Sequence, residues 1–273
     1  MLLQRILTAL ILTPLAVVII LFPPTWLFAL IVALVLLGAQ WEWTRLCGLN
    51  TPAARVVMPV LTLIALALLW WQRDAFHAWL IVLVIGFAWW LTALAWLRTY
   101  TFAASPSREH TWLKLLVSLL ILVPAWVALS RLHGSVPHGH WWTLLALCIV
   151  WAADIGAFFS GRAFGKRKLA PRISPGKTRA GAWGALVAGM LVAVIGGWLL
   201  GIHDGKLVGM AALGLVTVAA SIVGDLFESL MKRHADIKDS SAIFPGHGGL
   251  LDRLDSVFAA LPIFVLGKLV LGL

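Results

Sequence analysis

Long apolar stretches recur along this chain, separated by short clusters of polar residues, glycine and proline. Nine of them run at about 5–21, 26–43, 54–71, 78–97, 112–131, 141–160, 181–200, 207–227 and 254–272. Each approaches the ~20 residues that a helix needs to cross the hydrocarbon core of a bilayer. A helix satisfies its backbone N–H and C=O groups internally, which lipid demands, so helices are the expected elements throughout. Pro59 and Pro124 fall inside the third and fifth stretches, where a membrane helix absorbs them as kinks. The first stretch follows Arg5 and could pass for a leader. Phe22-Pro23-Pro24 and a second apolar stretch come after it instead of a small-residue cleavage site, so it is read as a retained membrane helix.

Composition agrees: the 273 residues are 62% hydrophobic and 12% charged, with a mean hydropathy of +0.98. No soluble globular domain has these values. The expectation is an all-α integral membrane protein of about nine transmembrane helices, one polytopic domain over residues 1–273. Residues 1–140 are expected to form a scaffold of five helices. Residues 141–273 would supply four more helices and the catalytic loops. Cys47 and Cys148 lie in or beside different apolar stretches and read as small core residues rather than a disulfide.

The net charge of +10 would suggest nucleic-acid binding in a soluble protein, but its distribution argues against that here. With the N-terminus inside the cell, 17 of the 21 Lys and Arg residues fall on cytoplasmic connections. Arg73, Arg131, Lys206 and Lys268 are left outside. This positive-inside bias places the N-terminus in the cytoplasm and the C-terminus outside. Trp26, Trp70, Trp71, Trp141 and Trp142 fall near the outer boundary, and Trp41, Trp43, Trp96 and Trp112 near the inner one. Gly205 and Gly209, and Gly181, Gly184 and Gly189 in the seventh stretch, suggest close helix packing.

Polar chemistry concentrates after residue 150. Asp225 and Glu228 share a face at the inner end of the eighth stretch, and Asp252 and Asp255 have the same spacing at the start of the ninth. A loop of about 25 residues joins the two ends, so both pairs can meet as the helices run antiparallel. Asp154 sits in the inner half of the sixth stretch and reads as buried. Carboxylates converging at membrane depth suggest a divalent ion, Mg²⁺ above all, bridged to a substrate phosphate. Each acid also has a plainer reading. Asp252 and Asp255 suit a helix N-terminus, and Glu228 with Lys232 suits a local ion pair.

The connection after the sixth stretch is basic: Gly161-Arg162, Gly165-Lys166-Arg167-Lys168, then Ser174-Pro175-Gly176-Lys177-Thr178. It suits lipid headgroups or, more sharply, a phosphate-binding surface facing the acids. Gly176-Lys177-Thr178 looks like the end of a P-loop, but the upstream glycine spacing is missing and no strand is expected before it. His247 stands between glycines and suits a proton shuttle, a phosphate contact or a turn. Gly248 and Gly249 would let backbone N–H groups approach an anion.

From Ser229 to Asp255 the chain carries Ser229-x-x-Lys232-Arg233, Lys238-Asp239, His247-Gly248-Gly249 and Asp252-Arg253-x-Asp255 in register. This segment resembles the signature of the phosphatidate cytidylyltransferase (CDP-diacylglycerol synthase) family. Ser174–Thr178, Asp154-Ile155-Gly156-Ala157-Phe158 and the Trp41-Glu42-Trp43 step are also similar to that family. Where the family often has an aromatic, Glu or Gln, then Gly, this chain has Arg179-Ala180-Gly181.

The resemblance implies transfer of CMP from CTP to phosphatidate on the cytoplasmic face of a bacterial-type inner membrane. It implies Asp225 and Asp252 as principal Mg²⁺ ligands, supported by Asp255 and Asp239, with a second cation left open. Lys232, Arg233, Lys238 and Arg253 would bind phosphates, and Ser174, Lys177, Thr178, Gly248 and Gly249 would complete the substrate site. The implied partners are CTP, phosphatidate and the bilayer, with no nucleic acid and a homodimer left open. Two rivals are a CTP-dependent lipid kinase, which shares the substrates' chemistry, and a cation-coupled transporter. The transporter would want ionisable groups near the midplane of both halves.

Overall fold

The computed structural model describes the backbone of residues 2–243 and 248–273, and the side chains of residues 10–243 and 248–273. Phe244, Pro245, Gly246 and His247 lie outside the described residues, and the roles weighed for His247 stay with the sequence. The described residues form nine helices: α1 (Leu2–Leu21), α2 (Thr25–Leu46), α3 (Pro52–Trp71), α4 (Phe76–Trp96), α5 (Arg108–His133), α6 (Gly139–Phe164), α7 (Arg179–Leu199), α8 (Lys206–His234) and α9 (Leu251–Val270). Every apolar stretch is a helix. The ends move outward where polar residues can continue the helix or cap it. Ser107 caps α5, its hydroxyl accepting from the His110 N–H at 3.2 Å. The last turns of α8 carry the polar run from Asp225 to His234.

Among the described residues seven helices, α2 to α8, are long and apolar enough to cross a membrane. The chain is a multi-pass membrane protein of helical architecture. α9 carries Asp252, Arg253, Asp255 and Lys268 among its 20 residues. The apolar side chains left outside are lipid-facing in character: Leu61, Ile64, Leu68, Ile155, Phe159 and Val187 are all exposed. α5 is central and packs on α2, α3, α4, α6 and α9. Along the second half, α6 packs on α7, α7 on α8 and α8 on α9.

Small residues permit those contacts. A Cβ on Gly184 of α7 would stand 2.0 Å from the Ser160 hydroxyl and 2.7 Å from the Gly156 carbonyl of α6. One on Gly189 would meet a Val218 methyl of α8 at 2.3 Å. The expected packing role holds for these residues but not for Gly205, which faces open space. Trp43, Trp96 and Trp142 are buried against neighbouring helices. Cys47 and Cys148 are both free; Cys47 is buried, and burial pushes its thiol up to about 12.

One element was not foreseen. Between α6 and α7 the basic connection folds into an antiparallel hairpin, β1 (Lys168–Ala170) with β2 (Ser174–Thr178). Gly176-Lys177-Thr178 is therefore strand, directly before α7, and not a P-loop. The physical reason is local: the two short strands pair with each other, and Ile173 at the turn is buried and anchors them to the bundle.

Candidate active site

Most of the predicted residues gather at one end of the bundle, where α6 and α8 finish and α7 and α9 begin. Gly224 sets the geometry. A Cβ there would stand 2.5 Å from the Asp255 carbonyl and 3.0 Å from the Ala259 Cβ, so glycine lets α8 and α9 touch backbone to backbone. Asp225 follows immediately and comes within electrostatic reach of Asp255. Thr178 starts α7 as its cap, its hydroxyl accepting from the Gly181 N–H at 3.0 Å. The residue before it, Lys177, thereby points from β2 to α8 and forms an ion pair with Asp225.

Asp225, Lys177, Thr178 and Gly181 line a cavity of about 660 Å³ between α6, α7 and α8. Its polar lining is Asp154, Arg162, Lys177, Thr178, Ser221, Asp225 and Ser256. Asp154 is not buried as expected; the cavity exposes it. It lies within electrostatic reach of Asp225, Lys177 and Arg253. Exposed Phe158 forms part of the wall. The cavity thus joins anion-binding and cation-binding groups at one end of an apolar bundle.

A second cluster lies beside it. Lys232 Nζ is 2.7 Å from Glu228 Oε2 and 2.6 Å from Asp252 Oδ1, with the three side chains 11%, 3% and 7% exposed. Asp252 is further engaged through Oδ2. That oxygen accepts from the Ser240 N–H at 2.9 Å and the Gly249 N–H at 2.7 Å, and it shares the single proton of the Ser240 hydroxyl, 2.8 Å away, with Glu42. Each carboxylate oxygen has two lone pairs, so Oδ2 is fully engaged by the turn, while Oδ1, bonded to Lys232 alone, keeps one. Gly248 has φ +80°, and a Cβ there would stand 2.6 Å from Asp252 Oδ2. The two glycines therefore wrap the chain around the protein's own carboxylate.

Sequence reasoning missed Glu42 as a member of this site. It is 2% exposed on α2, and both its oxygens accept hydrogen bonds from residues 240–251. The available signal was an acid between two tryptophans in a membrane helix, which is costly unless partnered.

The remaining predicted residues are placed as follows. Arg233 donates through Nε to the Ile173 carbonyl at 3.2 Å and ties α8 to the hairpin turn. Ser174 opens β2 and is partly exposed, while Lys238 and Asp239 are exposed on the α8–α9 connection, with Arg253 exposed on α9. Among the described residues no three His, Cys, Asp or Glu side chains gather closely enough to hold an ion on their own. Mg²⁺ is commonly held by one or two carboxylates plus substrate phosphates, and Asp225 and Asp154, which both line the cavity, fit that pattern, with Asp255 within electrostatic reach of Asp225 behind the lining. Asp252 Oδ2 is held by the turn, which leaves Oδ1, with its one bond from Lys232, as the oxygen able to meet an ion.

The fold and site define a polytopic membrane protein with a charged cavity at one end of its helices. Residues 3–270 match the model of the family described as the cytidylyltransferase family. The chain belongs to that family. It is 45% identical over 265 residues to the phosphatidate cytidylyltransferase of Pseudomonas aeruginosa, covering 97% of this chain and 96% of that protein. It is 38% identical to that of Haemophilus influenzae, covering 97% of each. Over 128 residues it is 41% identical to that of Bacillus subtilis, 46% of each chain.

Proposed function

We propose that this protein is a phosphatidate cytidylyltransferase, which makes CDP-diacylglycerol and pyrophosphate from CTP and phosphatidate. The observation that carries this reading is similarity across nearly the whole chain to two proteins of that name. The cavity supports it chemically. A phosphatidate oxygen attacks the α-phosphorus of CTP, a new P–O bond forms, and the bond to the departing pyrophosphate breaks. The nucleophile is already anionic, so no strong base is required. The barrier is charge repulsion and orientation.

Lys177 and Arg162 on the cavity wall neutralise phosphate charge and hold the two polyanions together. Lys177 has Asp225 as its partner in this structure and would share itself between that carboxylate and phosphate. Asp225 and Asp154 would hold Mg²⁺, with Asp255 near. The ion would neutralise charge on the triphosphate as pyrophosphate leaves. Lys232, locked between Glu228 and Asp252, braces α8 against α9. The positive-inside distribution supports a cytoplasmic N-terminus, an external C-terminus and a cavity at the cytoplasmic side of a bacterial inner membrane. Exposed Phe158 beside the cavity suits lipid tails arriving from the bilayer.

The test uses purified protein in detergent with labelled CTP, phosphatidate and Mg²⁺. CDP-lipid and pyrophosphate are expected. A phosphorylated lipid with CDP would assign a CTP-dependent kinase, and no product from any phosphatidate would end the reading.

A further inference from the structure

The start of α9 is built like an anion site. Three successive N–H groups, of Gly249, Leu250 and Leu251, point outward at the helix N-terminus, where the helix dipole favours negative charge. A glycine-rich turn of this kind suggests a phosphate cradle. In this structure the protein's own carboxylates take all three: Asp252 accepts from Gly249, while Glu42 accepts from Leu250 at 3.0 Å through Oε1 and from Leu251 at 2.8 Å through Oε2. Glu42 also accepts from the Ser241 hydroxyl at 2.6 Å and the Ser240 hydroxyl at 2.7 Å. Its oxygens thus receive three donors of their own, from Ser241, Leu250 and Leu251, and share the Ser240 proton with Asp252, all from a segment about 200 residues away in sequence.

The far side of this contact is stiff. Gln40 Nε2 donates to the Ser118 hydroxyl of α5 at 2.8 Å, and the Trp43 indole donates to the Lys114 carbonyl at 2.9 Å. Both bonds are buried, so α2 is fixed to the central helix on either side of Glu42. Gly249 is shaped to the same contact. A Cβ there would stand 2.4 Å from Glu42 Oε2 and 2.2 Å from the Ser240 hydroxyl. Glycine at this place makes room for the carboxylate of α2.

We propose that Glu42 is a positioning residue for the transfer reaction: it caps α9 from α2 and fixes where α9 presents Asp252 and Asp255 to α8. The inference rests on the cytidylyltransferase reading for its reaction and on the bonds above for its geometry. Ser240 couples the two halves of the network, since its hydroxyl touches both Glu42 and Asp252. Without the α2 carboxylate, the turn loses the charge that orients its N–H groups, and α9 loses its register against Lys232.

Glu42→Gln tests this. The amide keeps the size, but its NH₂ must face a backbone N–H that cannot turn away. In the full-length protein, hydrogen exchange at Leu250 and Leu251 is expected to quicken by about tenfold or more. With CTP, phosphatidate and Mg²⁺, kcat per folded enzyme should fall by about ten- to a hundredfold. KM for both substrates should stay within about threefold of wild type, since a positioning residue does not touch them. Unchanged exchange, unchanged kcat, or KM values rising as much as kcat falls would each overturn the proposal. If Glu42→Gln does not fold, Ser241→Ala removes a single donor and should show the same pattern at smaller size; no change in exchange and kcat there overturns it. Absence of CDP-lipid from the wild type would reject the reaction, while exchange still judges the cap.

Discussion

Asp225 and Asp252 look equivalent in sequence, each three residues from another acid at a helix end, but the structure separates their roles. Replacing Asp252 by Asn perturbs a closed network. If the amide oxygen takes the place of Oδ2, it keeps the bonds from Ser240 and Gly249, and the NH₂ then faces the Lys232 ammonium. If it turns the other way, the NH₂ meets two backbone N–H groups. The cheaper choice gives up the bond at 2.6 Å to a lysine that is 11% exposed. Removing one partner of a buried ion pair costs about 3–5 kcal/mol, and a hydrogen bond to a charged group contributes about 1.5–3. Lys232 keeps Glu228, which offsets part of the loss, so about 2–3 kcal/mol is expected. Asp225 differs: its side chain is 28% exposed, its partner Lys177 is 24% exposed, and Asp255 repels it. Asp225→Asn should change stability by less than about 1 kcal/mol. The assay is reversible unfolding of both variants in one detergent, paired with turnover at saturating Mg²⁺. Asp252→Asn should unfold more readily and lose activity. Asp225→Asn should unfold like wild type and turn over about a hundredfold more slowly. A fully stable Asp252→Asn protein would refute the bracing role, and near-normal turnover by Asp225→Asn would remove that residue from the metal site.

Three further outcomes are expected. Lys177→Ala should raise KM for CTP or phosphatidate in a neutral detergent, where headgroup attraction has no part; unchanged kinetics would limit the hairpin to lipid contact. Gly224→Val should push α9 from α8 and reduce both stability and turnover, because its Cβ would stand 2.5 Å from a backbone carbonyl; unfolding and turnover measurements check it. Cysteines introduced at residue 273 and residue 170 should label from opposite faces of the membrane, with 273 reached from outside; labelling of 273 only from inside would reverse the topology.

Helix number and placement were legible in the sequence because lipid imposes one requirement on every spanning segment: enough apolar residues, with backbone groups bonded internally. The acids and bases at one end were legible for the complementary reason, since charge in an apolar chain stands out. The signature from Ser229 to Asp255 carried the family, which the match over residues 3–270 shows. Partnership was not legible. Lys177 meets Asp225 through a hairpin that its few residues barely announce, and Asp154 opens onto a cavity although it sits among apolar neighbours. The glycines of the signature read as a phosphate cradle, yet the Gly249 N–H is held by Asp252 and the Leu250 and Leu251 N–H groups that follow are held by Glu42. Glu42 lies about 200 residues from the turn it holds, and no local pattern records that distance. Sequence determined which segments enter the membrane and which residues are chemically able to act. Only the tertiary structure decided which carboxylates remain open to a ligand, because that depends on which donors the packed helices bring to each oxygen.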